Sequence, residues 1–409
     1  MAVVGGGPAG LMAAETLARG GATVTVFEAM PTVGRKLLLA GRGGLNLTHS
    51  EPLDTFLTRY GTASTALAPA VTAFGPDALR AWATGLGQDP VVGSSGRVFP
   101  SGFRATPLLR AWLRRLDELG VTIRTRHRWE GWTEGGLVFT DAEGRTVFHR
   151  TRATILALGG ASWPRTGSDG AWVAPMEAAG VRVTPLRPAN SGFRVPWSAV
   201  FAERFAGTPL KNVALTAGGR AVRGEAMITR TGIEGGGIYA LATDLRDAIE
   251  RDGETTVLVD LQPDRTTDQV VDRLARRRQR DSVSTGLRRA LDLPPVAVGL
   301  LREATGNHLP DDAGALAALV KATPITLVAT ESLARAISTA GGIALTELDE
   351  QFMMRARPGT FVAGEMLDWE APTGGYLLQA ALATGVAAAR GALSWLTVDP
   401  EDRGRDPEA

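Results

Sequence analysis

Met1-Ala2-Val3-Val4-Gly5-Gly6-Gly7-Pro8-Ala9-Gly10, followed through to Glu28, decides the fold. The first four residues form an apolar strand stub, and a small-residue helix over Leu11 to Arg19 follows the glycine turn. A second strand, Thr23 to Phe27, ends on Glu28. Strand, glycine turn, helix, strand and acid stand in the order that a dinucleotide site requires. Gly5 makes the tight turn, Gly7 lets the backbone approach a pyrophosphate, and Gly10 lets the helix pack close on the strand. The helix start supplies free N–H groups and a partial positive charge for that pyrophosphate. Glu28 lies where a carboxylate can accept hydrogen bonds from an adenosine ribose. With 50 glycines in 409 residues, a bare G-x-G-x-x-G string is expected roughly once by chance, so its context carries the reading. The carboxylate favours an unphosphorylated ribose, which suits FAD or NAD better than NADP.

Composition narrows the classes. A chain of 409 residues with 44% apolar content supports two domains or one domain with an insertion. The net charge of +1 gives no electrostatic case for nucleic acid or an anionic membrane. No apolar run is long enough to span a bilayer and no leader opens the chain, so a soluble, cytoplasmic protein is expected. The absence of cysteine removes disulfides, thiolate zinc sites and thiol chemistry. Any redox chemistry must therefore belong to a cofactor. His49, His127, His149 and His308 are scattered without metal-ligand spacing, and no metal is expected.

The chain reads as one domain interrupted by another. Residues 1–188 carry the opening motif, a helix over Leu108 to Leu119, a strand over Val121 to Arg126 and a small antiparallel excursion over Trp129 to Thr140 and Thr146 to Thr151. The buried strand Ala153 to Leu158 ends on Gly159-Gly160. Texture then changes, which marks an inserted domain at 189–323, β-rich over 189–262 and helical over 263–323. Within it Asp268 to Leu291 and Leu316 to Lys321 carry a helical pattern. Residues 324–398 return to strand, glycine pair and helix, and the charged tail 399–409 reads as disordered. The run Arg273 to Arg280 tempts an RNA-binding reading, but Asp264, Asp268, Asp272 and Asp281 balance it as a solvated helix face.

Four further segments are odd for purely structural purposes. Gly34-Arg35-Lys36 places two cations after the ribose-binding acid, and a flexible glycine loop, Gly41 to Gly44, leads to Asn46. Diphosphate neutralisation explains the cations, and close approach to a flat ring explains glycines such as Gly43. Ala157 to Gly167 (ALGGASWPRTG) ends a strand on paired glycine at the same crevice, with Arg165 nearby. Thr339-Ala340-Gly341-Gly342 marks the re-entry from the insertion. Finally, Gly364-Glu365-Met366-Leu367-Asp368 and Gly374-Gly375-Tyr376 lead into an alanine-rich helix reaching about Leu396. That helix start would stabilise the negative charge of a reduced flavin. Glu365 and Asp368 would fix a ribityl or ribose hydroxyl, or shuttle protons.

In this order the segments resemble the HI0933-like or BaiN-like FAD-dependent oxidoreductases. The matching stretches are GGGPAG, GRKLLLAGRGGLN, LALGGASWPRTG, TAGGI and GEMLDWEAPTGGYLLQ. The resemblance implies a Rossmann-like, two-dinucleotide-type FAD-binding α/β domain with an inserted β-barrel plus helical domain on the substrate side. It implies that Gly5, Gly7, Ala9 and Gly10 hold the pyrophosphate, that Glu28 holds the adenosine ribose, and that Arg35 and Lys36 flank the phosphates. The strand end near Trp129 would sit by the adenine, and Gly159 and Gly160 would cover the nucleotide. Gly364, Glu365, Gly375 and Gln379 would meet the ribityl chain and isoalloxazine. The family's loop cysteine falls at Leu45, and the residue after Tyr376 is Leu377 instead of Asn, which marks a diverged branch.

The expected activity is hydride transfer through FAD between a small organic substrate and a reductant, NAD(P)H being the candidate. No second G-x-G-x-x-G unit houses a nicotinamide dinucleotide, so such a donor would dock transiently. Glu365, Arg165, Tyr376 and Asn46 are candidate catalytic residues by position. The rivals are an RNA-associated or RNA-modifying flavoprotein and a flavin-holding redox sensor without turnover.

Overall fold

The computed structural model describes residues 1–134, 136–277 and 282–397. The chain divides into two compact units, one formed by Met1–Arg187 with the chain from Ser338 onward, the other by Pro188–Ile337. The tail read as disordered lies outside the described residues, as do residues 278–280 of the arginine run.

In the first unit, β1 (Ala2–Val4) is fully buried and pairs in parallel with β2 (Thr25–Glu28) on one side and Thr154–Leu156 on the other. Thr122–Thr125 extends the sheet beyond β2, and Thr360–Val362 extends it beyond Thr154–Leu156, both in parallel. Strand order therefore reverses at β1, and the crevice at the carboxyl ends there is where a doubly wound sheet receives its ligand. Burial of a central parallel strand on both faces explains why Ala2-Val3-Val4 and Thr154-Ile155-Leu156 show no polar alternation.

Helix α1 (Pro8–Arg19) opens with a proline whose fixed φ suits the first helical position, behind the N-cap Gly7. It packs on the helix Tyr376–Thr397 so closely that a Cβ on Gly385 would lie 2.5 Å from the Ala9 carbonyl oxygen. That second helix is long and apolar enough to cross a membrane by length and composition. Ala380, Ala383, Ala388 and Ala389 along it are nonetheless fully buried, which is the pattern of a core helix. The cations of Gly34-Arg35-Lys36 do not open a loop. Arg35–Ala40 is a short helix, α2, and Gly41–Gly43 a single tight turn after it. The excursion after Arg126 is a three-stranded antiparallel sheet of Arg128–Thr133, Gly136–Thr140 and Thr146–His149.

The second unit holds a seven-stranded antiparallel sheet. Thr323–Leu327 pairs with Thr255–Asp260 at one edge, and Ala329–Thr330 pairs with Phe193–Arg194 at the other. These two edges belong to one continuous stretch of chain, so the sheet closes on itself as a barrel. Thr323–Leu327 thus belongs to the barrel, and the return to the first unit falls at Ser338, not at residue 324 as the sequence suggests. The stretch 189–262 also contains helices, Ala199–Phe205, Gly236–Ala240 and Ala242–Asp252. The helical pattern over Asp268 to Leu291 resolves into two helices, Thr267–Ala275 and Val283–Leu291. Pro295–Ala304 and Ala313–Lys321 complete a helical layer whose Leu274, Leu287, Leu300 and Leu316 share one core with the barrel strands.

Candidate functional site

The carboxyl ends of the first unit's strands carry most of the residues singled out in the sequence. At the end of β1, Gly5 stands at φ +108° and its N–H donates to the Phe27 carbonyl at 2.8 Å. A Cβ on Gly10 would collide with the Gly5 carbonyl oxygen, and one on Gly5 with that of Ala157, so both glycines are sterically required. Around Gly7 a Cβ would meet nothing within 4 Å. Space is therefore open beside the N-cap of α1, and the Ala9 and Gly10 N–H groups have no acceptor inside the helix.

Glu28 closes this end. Its Oε2 accepts from the Gly6 N–H and its Oε1 from the Met30 N–H, both at 2.8 Å. Burial pushes the Glu28 carboxyl above its ordinary value, opposed by those two N–H groups and by Arg35. The Gly34 N–H donates to the Gly6 carbonyl at 2.8 Å, which ties the start of α2 to the glycine turn. The strand end before Trp129 lies here too, since the His127 N–H donates to the Glu28 carbonyl at 2.9 Å. The Trp129 indole itself is in the core, 4.8 Å from Trp132 and edge-on to it.

Four of the quoted segments meet at one charged knot. The Lys36 Nζ donates to Glu365 Oε2 and to Ser162 Oγ, each at 2.6 Å. Glu365 also accepts from the Thr339 N–H at 2.9 Å and the Gly160 N–H at 3.3 Å, while the Ala161 N–H donates to Thr339 Oγ1 at 2.9 Å. Lys36 is thus paired with a carboxylate, and Glu365 is engaged by three donors. Gly364, at φ +78°, lies against Ala9, which brings this knot to the first turn of α1. Gly159, at φ +73°, accepts from the Trp172 indole through its carbonyl at 2.8 Å.

The last glycine pair is also forced. Gly374 and Gly375 stand at φ +144° and +100°, and a Cβ on Gly375 would lie 2.5 Å from the backbone of Thr48. This fixes the start of the helix Tyr376–Thr397 against the loop that carries Gly43 and Asn46. Gln379 is fully buried, accepting from Thr48 Oγ1 at 2.8 Å and donating to the Phe74 carbonyl at 2.6 Å. It holds that loop in place. Tyr376 is likewise a buried anchor, its hydroxyl donating to Glu51 Oε1 at 2.7 Å while its carbonyl accepts from Tyr60 at 2.9 Å. Arg59 grips Glu51 with two hydrogen bonds of 3.0 and 2.6 Å and holds its carboxyl below the ordinary range. Burial, reinforced by the Glu51 bond, pushes the Tyr376 phenol well up, so it remains a hydrogen-bond donor. Asp368 accepts from Thr184 Oγ1 at 2.6 Å. Arg165 is exposed, with its guanidinium 5.0 Å over the Trp163 ring.

Several polar atoms in and around this cradle are shielded from solvent and lack a protein partner: Arg35 Nε, Asn46 Oδ1 and Ser168 Oγ. Together with the open N-cap of α1 and the carboxylate at the end of β2, they fit an extended dinucleotide. Glu51, Arg59, Ser162 and Thr339 join the site only through the fold. Ser162 and Thr339 stood inside quoted segments, whereas Glu51 and Arg59 carry no motif. Among the described residues no cluster of His, Asp or Glu suits a metal.

Fold and cradle together define a flavoprotein of the doubly wound, FAD-binding type. The chain belongs to the HI0933-like family of FAD-dependent oxidoreductases, whose Rossmann-domain model matches residues 1–391. It is 28% identical to the 3-dehydro-bile acid delta(4,6)-reductase of Clostridium scindens over 95% of this chain and 98% of that protein. Among solved structures, a flavocytochrome c3 fumarate reductase in an open conformation is similar with a TM-score of 0.54 at 14% identity, over 97% of this chain and 78% of that one. The 3-ketosteroid delta1-dehydrogenase of Sterolibacterium denitrificans, in complex with 1,4-androstadiene-3,17-dione, is similar with a TM-score of 0.52 at 14% identity, over 96% and 99%. These two likenesses establish the fold.

Proposed function

We propose that the protein moves a hydride between a small organic substrate and a reductant, with NAD(P)H as the donor and with FAD held along the carboxyl edge of the first unit. When bound, FAD would supply two-electron hydride chemistry. The observation that carries this reading is convergence. Gly5 to Gly10, Glu28, the Lys36–Glu365 knot and the Gly374-Gly375 turn are distant in sequence, yet all cluster at one end of a single sheet and its flanking helices. The reductase named above supports the direction of the reaction, toward a reduced organic product.

The chain's own residues have separable tasks here. Gly7, Ala9 and Gly10 present N–H donors to the pyrophosphate, and Glu28 accepts from the adenosine ribose. The knot of Lys36, Glu365, Ser162 and Thr339 holds the segments that cover the middle of the cofactor. Gly375 places the positive end of the Tyr376–Thr397 helix where negative charge would build on reduction. Asn46 Oδ1, without a protein partner, is the polar atom of the glycine loop left for the ring system or the substrate. A cytoplasmic location accompanies this reading; among the described residues the one helix of membrane-spanning length is packed into the core.

Anaerobic mixing of the FAD-loaded protein with NADH and NADPH separately tests the proposal. Rapid bleaching by either, followed by reoxidation with an organic acceptor, supports it. Full flavin loading without bleaching by either nucleotide removes NAD(P)H as donor. If no organic acceptor reoxidises the chemically reduced protein, a redox sensor takes its place.

A further inference from the structure

Beside the Gly43–Asn46 loop the first unit presents an aromatic pair that its core does not absorb. Phe103 is 51% exposed, and its backbone stands at φ +56°, a left-handed conformation that a bulky residue adopts only at a cost. Its ring centroid lies 5.2 Å from that of Phe99, tilted by 34°. Gly44 lies against both rings, since a Cβ there would touch Phe99 at 3.6 Å and Phe103 at 3.7 Å. The loop is zipped to the segment bearing these rings. The Leu45 N–H donates to the Phe103 carbonyl and the Leu47 N–H to the Val98 carbonyl, each at 2.8 Å. Val91, itself exposed, stands opposite Phe99 in the hairpin of Pro90–Val92 and Arg97–Pro100, which puts both on one face.

Phe103, Phe99 and Val91 form a contiguous apolar surface of the kind that serves as a contact site. Its continuity with the loop that carries Asn46 says what that contact is. We propose that Phe99 and Phe103 form the platform that receives the flat, apolar ring face of the substrate, beside the cofactor loop. This deepens the FAD-oxidoreductase reading and rests on it. Offset stacking on Phe103 favours planar ring systems and offers nothing to a compact dicarboxylate. Phe103 is thus a specificity-determining residue for the proposed reaction.

The test uses the FAD-loaded native chain and Phe103→Asn, since asparagine tolerates the left-handed backbone without the ring. 1,4-Androstadiene-3,17-dione, whose cross-conjugated A ring is flat, serves as the apolar probe and fumarate as the compact charged one, both followed by changes in flavin absorbance. The expected result is a saturable steroid response in the native chain and none with fumarate. Phe103→Asn should weaken the steroid response by about tenfold, with flavin content unchanged, and Phe103→Tyr should restore it. Equal steroid affinity in the native chain and Phe103→Asn overturns the platform, as does a flavin-loaded native chain indifferent to the steroid. A change of oligomeric state in Phe103→Asn with an unaltered steroid titration assigns the patch to a second copy and also overturns it. Failure to hold flavin at all would sink the FAD reading itself, and is seen separately in the spectrum before any probe is added.

Discussion

Four helices of the second unit and two of the first begin in opposite ways. In the second, Ser198, Thr266, Ser282 and Asp312 each accept an N–H from the first turn of the helix they precede, and Gln269 completes a reciprocal box with Thr266. In the first, α1 and α2 follow Gly7 and Gly34, which have no side chain with which to cap. A side-chain cap contributes about 1 kcal/mol to helix stability. At α1 the first unit forgoes that contribution where a ligand would take the donors instead, and Gly5, Gly10 and Gly375 stand where a Cβ would strike backbone. The four caps stabilise their helices without a ligand, whereas α1 leaves its first donors to what binds there.

The sharpest way to break this contrast is Gly375→Val. Its φ of +100° and the backbone of Thr48 at 2.5 Å leave no room for a side chain. The backbone conformation alone would cost about 1–3 kcal/mol. Flavin retention on gel filtration should be lost and the melting temperature lowered; normal loading would show that this turn is not at the site. Glu28→Ala comes next. It should weaken FAD binding by about 1.5–3 kcal/mol, as expected for hydrogen bonds to a charged group, measured by titrating the apoprotein. Because burial raises the Glu28 carboxyl, its contribution to stability is full below the ordinary carboxylate value and is lost as pH rises through the raised one. The apoprotein's melting at neutral pH should therefore suffer less than its affinity for flavin.

Acid sharpens the comparison further. Arg59 lowers the Glu51 carboxyl, so the Glu51–Arg59–Tyr376 contact stabilises the first unit above the ordinary carboxylate value. That contribution fades as pH falls through the lowered one. Arg59→Met should flatten this acid-side loss in melts followed against pH; an unchanged profile would deny the contact any weight. The smallest effect belongs to Thr266→Ala, which should cost about 1 kcal/mol in denaturant unfolding and leave flavin affinity untouched. A loss of flavin there would mean that the division of labour between the units is wrong.

What was legible in the chain was what short-range sterics dictate. The turn after β1 needs Gly5 and Gly10 whatever the rest of the protein does, and Glu28 follows from the length of one helix and one strand. Boundaries set by distant pairing were not legible. Thr323–Leu327 alternates like any strand, and only its pairing with Thr255–Asp260 assigns it to the barrel. The glycines at 34, 41, 43 and 44 disguised the short helix Arg35–Ala40. Gln379 and Tyr376 sit in the right motif, but a polar side chain in a motif does not announce whether it faces a ligand or the interior. The partners of Lys36 were hidden because Ser162 and Glu365 lie far along the chain, and no periodicity links them.

The most direct measurement is the visible spectrum of the purified chain after incubation with FAD and removal of free flavin by gel filtration. One flavin per chain co-eluting with the protein is the predicted result, reduced in the Glu28→Ala variant. Native protein that emerges folded and colourless would contradict the claim that the carboxyl edge of the first unit is a flavin site.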